Sequence, residues 1–270
     1  MGTPRSAAAH HQRQMAESFG SDADRYDRAR MDYPDELIAR VLELAPGPEV
    51  LDVGCGTGIE ARQLQVTGAN VLGVEPDARM AAYARSRGLV VEESRFEDWD
   101  AAGRTFDAVV AAQAWHWVDP VAGAAKVRDV LRPGGLFAAF WNVYDPPAPV
   151  GDALLDGLSQ VAPDLPLDRE AMKQADKTYE EGARQVGERF VELGGFTEPE
   201  PWRFSWSREV TREEWLDFVP TQGFLTRLSA EQRAPVLELV GAAIDALGPG
   251  GSFTLNTVTV GIAVPLQQEP

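Results

Sequence analysis

Short apolar runs alternate with amphipathic stretches along the first half of the chain. Val50-Leu51-Asp52-Val53, Val71-Leu72-Gly73-Val74, Val90-Val91, Phe106 to Ala112 and Leu136 to Trp141 have strand length and apolar character, and Ile59 to Val66 reads as one of the helices between them. Ahead of the first run, Leu37, Ile38, Val41 and Leu42 share one face of a helix opening at Pro34, a residue suited to a first helical position. Strands joined by helical crossovers imply right-handed connections and a parallel sheet covered on both faces. The pattern therefore predicts an α/β, doubly wound domain.

The rhythm breaks at Asp145-Pro146-Pro147-Ala148-Pro149, a stiff connection. Beyond it a charged, helical stretch runs to Leu193 and is expected to cap the sheet edge. Strand patterns return at Trp202 to Ser207 and at Ser252 to Ile262, with Leu237, Val240, Ile244 and Leu247 marking an amphipathic helix between them. The expected divisions are 1–30 as a leader and lid helix, 31–147 as the Rossmann-like core, 148–200 as an inserted helical cap and 201–270 as the remainder of the core sheet.

Charge narrows the partners. The 270 residues carry 42 acidic against 25 basic side chains, a formal net charge of −17. Such a surface repels a phosphate backbone, so no nucleic-acid partner is expected. No apolar run approaches the roughly 18 residues a membrane helix needs, and no apolar signal segment marks the N-terminus, so the reading is a cytoplasmic protein with no membrane partner. A lone cysteine, Cys55, agrees with a reducing compartment. His10 and His11 fall in a polar leader, and no metal site is expected.

The chemistry concentrates in Asp52-Val53-Gly54-Cys55-Gly56-Thr57-Gly58, between a buried strand and a helix, where an open parallel sheet places its ligand. Glycines at every second position let the backbone turn sharply and approach a ligand closely. The spacing matches neither the dinucleotide fingerprint nor the phosphate-binding loop. Asp52 at the mouth of the turn repels a pyrophosphate but suits a ligand bearing an ammonium group and a sulfonium. Glu75 closes the second strand, at the position that binds both ribose hydroxyls in α/β nucleotide folds. Together they describe a nucleoside joined to a cationic amino acid.

With these pieces, and with Gly73-Val74-Glu75-Pro76-Asp77, Met80 and Leu131-Arg132-Pro133-Gly134-Gly135, the chain resembles the class I S-adenosylmethionine-dependent methyltransferases. The resemblance implies a seven-stranded, mostly parallel sheet with the last strand antiparallel, and S-adenosylmethionine as cofactor. It assigns the Gly54, Cys55, Gly56 and Gly58 loop to the methionine part, Asp52 to the ammonium side and Glu75 to the ribose. Pro76 and Met80 would flank the adenine, joined by Phe96 and Glu97; Arg95 stands where the family more often has an acid. Tyr26 to Pro34 and Gln113 to Trp117 look like a subgroup of trans-aconitate methyltransferase-like proteins acting on small molecules. That likeness implies Arg30 and Tyr33 closing over the methionine carboxylate.

Methyl transfer from a sulfonium is an in-line displacement that needs alignment and exclusion of water. Residues past the fourth strand are then the acceptor side: Gln113 toward substrate or cofactor, His116 as a candidate general base, and Tyr26, Trp115, Trp117, Trp141 and Tyr144 as aromatic walls for a small-molecule acceptor. A carboxylate acceptor would need no base. A non-catalytic module that keeps the cofactor fold is the competing reading, and a nicotinamide-dependent oxidoreductase is disfavoured by the glycine spacing.

Overall fold

A computed structural model describes residues 19–164 and 168–268. The leader up to residue 18, with His10 and His11, lies outside the described residues. The strands are β1 (Glu49–Val53), β2 (Asn70–Glu75), β3 (Val90–Glu93), β4 (Phe106–Ala112), β5 (Leu131–Asp145), β6 (Glu200–Thr211) and β7 (Ser252–Pro265). The α-helices are α1 (Ala23–Ala29), α2 (Asp35–Leu44), α3 (Ile59–Val66), α4 (Ala78–Ser86), α5 (Pro120–Val130), α6 (Ala148–Val161), α7 (Arg169–Lys173), α8 (Ala175–Leu193), α9 (Arg212–Phe218) and α10 (Ala230–Asp245).

The strands form one sheet in the order β3-β2-β1-β4-β5-β7-β6, mostly parallel with an antiparallel pairing, as the doubly wound reading expects. Parallel registers align Asp52 with Gly73 of β2 and with Val110 of β4. The order reverses at β1 and β4, so the loops after these two strands diverge and leave a crevice at their carboxyl ends. Val50, Leu51, Asp52 and Val53 are all buried, as a central strand covered on both faces must be.

Two compact units divide the chain. The sheet unit comprises Met31–Asn142, Asp176–Phe204 and Thr259–Pro270; the helical unit comprises Met1–Arg30, Val143–Ala175 and Ser205–Val258. In the sheet unit α2 buries Leu37, Ile38 and Val41, the predicted face, with Pro34 one position earlier than expected, at the N-cap. Asp107 of β4 accepts from the Glu49 backbone N–H at 3.0 Å and pairs with Arg132 at 2.8 Å, which pins the start of β5 to its neighbours. In the helical unit α6 packs on α10, where a Cβ at Gly157 would come within 3.0 Å of the Val236 backbone. Trp215 stacks on Phe218 at 5.0 Å, and Asp217 holds both Arg25 and Arg28.

The expected cap over 148–200 is divided instead. Helix α8 belongs to the sheet unit because its fully buried Phe190 packs on Phe137 of β5 at 4.3 Å, while α6 and α7 belong to the helical unit. Much of the expected core remainder, 205–258, also falls in the helical unit. Leu247, expected on the buried face of the last amphipathic helix, lies beyond α10 and is exposed.

Candidate functional site

The glycine loop leaves β1 through three left-handed residues, Gly54 (φ 71°), Gly56 (φ 54°) and Gly58 (φ 85°). Right-handed backbone cannot make this path, and residues with a Cβ adopt it only under strain. A Cβ at Gly54 would lie 2.6 Å from the Ala114 Cβ, whereas at Gly56 nothing stands within 4 Å, so that stretch of backbone faces open space. Gly58 caps α3 without a side-chain bond, leaving the first N–H groups of that helix available.

Carboxylates surround this loop. Asp52 is 1% exposed and neither of its oxygens meets a protein donor. Burial first, then the charge of Glu75, push its pKa up to about 8. Glu75 is buried as well; its Oε2 accepts from the Gly56 N–H at 2.9 Å and its Oε1 from the Asp77 N–H at 2.8 Å. Desolvation still raises its pKa to about 7. Each Glu75 oxygen keeps a second lone pair, so the carboxylate braces the loop and can accept from a ligand hydroxyl. Cys55 is a buried packing residue against Gly73, its thiol pushed well up by burial and by the acids around it.

A third acid, Glu60, escaped the sequence reading. It lies on α3 at 3% exposure, its Oε1 without a partner, its pKa raised well above normal by burial and by Asp52. The available signal was its register: Glu60 precedes Ala61 by one residue and Leu64 by four, and both are fully buried, so it stands on the apolar face. No cation forms an ion pair with Asp52, Glu60 or Glu75 among the described residues.

The adenine-side residues cluster around β3 and α4. Pro76 is exposed, Met80 is buried on α4, and Asp77 caps that helix through the Arg79 N–H. Phe96 is buried beside Trp99 and Trp115. Glu97 accepts from the Asp119 N–H at 2.8 Å and pairs with Arg95 at 3.2 Å, so the departure at Arg95 is matched by a local partner.

On the acceptor side, Gln113 holds a left-handed backbone (φ 55°) and its Nε2 donates to the Asn142 carbonyl at 3.0 Å. Trp141 Nε1 donates to His116 Nδ1 at 3.1 Å, with Trp117 4.5 Å from the imidazole and Tyr179 6.3 Å from Trp141. His116 is exposed at its own surface, yet the protein mass around it lowers its pKa to about 4. The hydrogen bond is the firmer sign of a neutral ring, because an indole N–H can only donate and Nδ1 must then be unprotonated. Trp115, expected as an acceptor wall, is instead a core residue: 3% exposed, it fills the space among Phe96, Phe137 and Phe190.

Tyr33 also packs inward, edge-on to Phe140 at 5.1 Å, with its backbone exchanging hydrogen bonds with the Gln63 amide. Tyr26, Arg30 and Tyr144 belong to the helical unit. There the Arg30 guanidinium lies over the Tyr26 and Phe218 rings and donates to the Thr221 carbonyl at 2.6 Å, and Tyr144 packs edge-on to Phe218.

These features fit S-adenosylmethionine on their chemistry: orphaned buried carboxylates for its positive charge, an open glycine cradle for close backbone approach, and a braced acid at the end of β2. Comparison with known proteins agrees. Residues 51–139 match the methyltransferase domain family. An uncharacterized methyltransferase of Mycobacterium bovis is 30% identical over 264 residues, covering 94% of this chain and 98% of that protein. A ubiquinone biosynthesis O-methyltransferase of Cereibacter sphaeroides is 35% identical over 123 residues, 40% of this chain and 49% of that one. A solved methyltransferase structure from Anaeromyxobacter dehalogenans superposes with a TM-score of 0.62 at 26% identity, covering 88% of this chain and 97% of that chain. Kinship across nearly its whole length, on top of this site, makes the chain a member of the class I S-adenosylmethionine-dependent methyltransferases.

Proposed function

We propose that this methyltransferase esterifies a small carboxylic acid, transferring the methyl group directly to a carboxylate oxygen. The Trp141 to His116 hydrogen bond carries the reading. It occupies Nδ1, so the imidazole's proton sits on Nε2 and His116 is a hydrogen-bond donor; its expected service as a general base gives way to this role. A donor beside two tryptophans suits an acceptor already ionised at neutral pH, which a hydroxyl acceptor is not. The likeness of Tyr26 to Pro34 and Gln113 to Trp117 to trans-aconitate methyltransferase-like proteins supports the reading, and the O-methyltransferase among the relatives supports oxygen as the methylated atom.

In this reading Asp52 and the glycine loop hold the methionine part, Glu75 the ribose, and Pro76, Met80, Phe96 and Glu97 the adenine side. Tyr33 serves the methionine carboxylate, Gln113 orients the reactants, and Trp117 and Trp141 face the acceptor. The cofactor supplies a methyl already activated on sulfonium sulfur, so alignment and water exclusion are what these side chains contribute. The test is a panel of carboxylic acids, phenols and amines with S-adenosylmethionine, reading S-adenosylhomocysteine release and product mass. Methyl esters are expected; turnover of phenols or amines with none on acids overturns the proposal. Tight cofactor binding with no turnover on any class would favour a non-catalytic module.

A further inference from the structure

Glutamate on the inward face of a helix is costly unless something compensates its charge. Glu60 stands there, in the first turn of α3 directly after the glycine loop, and nothing in the described protein does so. Among the described residues, the one group that opposes this cost is the backbone N–H of Ala112 at the end of β4. Asp52, aligned with Val110 two residues earlier on that strand, stands one residue before the end of the neighbouring β1. The two acids therefore meet over the adjoining carboxyl ends of β1 and β4, at the point where the strand order reverses.

We propose that Glu60 is a cofactor-binding residue, forming with Asp52 a two-carboxylate seat for the ammonium group of the methionine moiety. The inference rests on the methyltransferase assignment and adds a residue to its site. Three unmatched acceptors, Asp52 Oδ1, Asp52 Oδ2 and Glu60 Oε1, lie in this stretch, and an ammonium group carries three donors and no acceptor. The titratable groups facing the pair are Cys55 in the loop and Glu75 on β2; the basic side chain of α3, Arg62, turns one nitrogen to the Thr57 carbonyl at 2.7 Å. With like charges this close and water excluded, burial and mutual repulsion push both carboxyl pKa values up, and a cationic ligand between them relieves that repulsion.

Calorimetric titration with two ligands tests this: S-adenosylhomocysteine, which carries the amino-acid moiety, and 5′-methylthioadenosine, the same nucleoside without it. Glu60→Gln is expected to weaken S-adenosylhomocysteine at least tenfold at pH 7.5 while changing methylthioadenosine less than twofold, and to raise the melting temperature of the ligand-free protein. Equal loss for both ligands, or none for either, overturns the proposal. If the variant fails to fold, the wild-type protein decides. Its S-adenosylhomocysteine affinity should fall severalfold from pH 7.5 to pH 5.5 with methylthioadenosine flat, and parallel behaviour of the two ligands refutes the seat. A wild-type protein that bound neither ligand at any pH would instead strike at the cofactor assignment itself.

Discussion

Trp141 on β5 donates its indole N–H to Nδ1 of His116, just past β4, at 3.1 Å, and this bond fixes which end of the imidazole can face an acceptor. Protonating Nδ1 would set two donors against each other, so the bond and the surrounding protein mass act together to keep the ring neutral. Only three histidines occur in the chain, which makes the site accessible to proton NMR. His116 should show no titration between pH 5.5 and 8, whereas Trp141→Phe should move its midpoint upward toward the ordinary value of about 6.5. A wild-type midpoint near 6.5 would return the ring to the pool of candidate bases.

The buried acids set the pH dependence of the ligand-free protein. Asp52, at about 8, and Glu75, at about 7, both lie above their unfolded values of about 4. A raised folded pKa means that the stabilising contribution is complete below pH 4 and is lost as pH rises through 7 to 8. The melting temperature should thus fall between pH 5 and pH 8.5, and Asp52→Asn, which cannot ionise, should flatten that fall while weakening S-adenosylmethionine binding at least tenfold, about 1.4 kcal/mol. A variant that kept both the wild-type slope and the wild-type affinity would remove Asp52 from the account.

Two glycines of one loop should fail differently. Gly54→Ala drives a methyl group to 2.6 Å from the Ala114 Cβ, so its main effect is on folding: a lower melting temperature and little soluble protein. Gly56→Ala meets nothing and bears only the left-handed backbone cost, about 1–2 kcal/mol. It should remain folded yet lose cofactor affinity, because the added carbon occupies the open face of the cradle. Thermal melts paired with cofactor titration separate the two, and identical profiles would contradict the geometry.

The contrast between these glycines also shows what a sequence can convey. Alternate spacing announces a tight loop, and Asp52 and Glu75 follow because each lies at or next to the end of an apolar run whose strand length is plain. Glu60 does not announce itself: helical patterning treats glutamate as solvent-facing, and only its register beside Ala61 and Leu64 reveals the buried side. Trp115 erred in the opposite sense. Its place just past β4 suggested the acceptor, but Phe190, 75 residues away, packs against it, and a contact of that range leaves no local trace. The sequence of helix α8 suggests a cap for the same reason, since its charged outer face dominates its composition while Ala183, Gly187 and Phe190 form the narrow stripe that docks.

That docking yields the last prediction. Phe190 is fully buried, stacked on Phe137 at 4.3 Å, edge-on to Phe196 at 4.9 Å and 5.9 Å from Trp115. If α8 were a detachable cap, Phe190→Ala would alter acceptor turnover and leave stability nearly untouched. As part of the sheet unit's core, it should cost about 3–5 kcal/mol, the range for removing a buried aromatic ring whose cavity cannot fully collapse. Urea unfolding with an unchanged m-value would read that loss directly. A deficit under about 1 kcal/mol, within the range typical of surface substitutions, would mean that the helix is an ornament on the sheet rather than a layer of it.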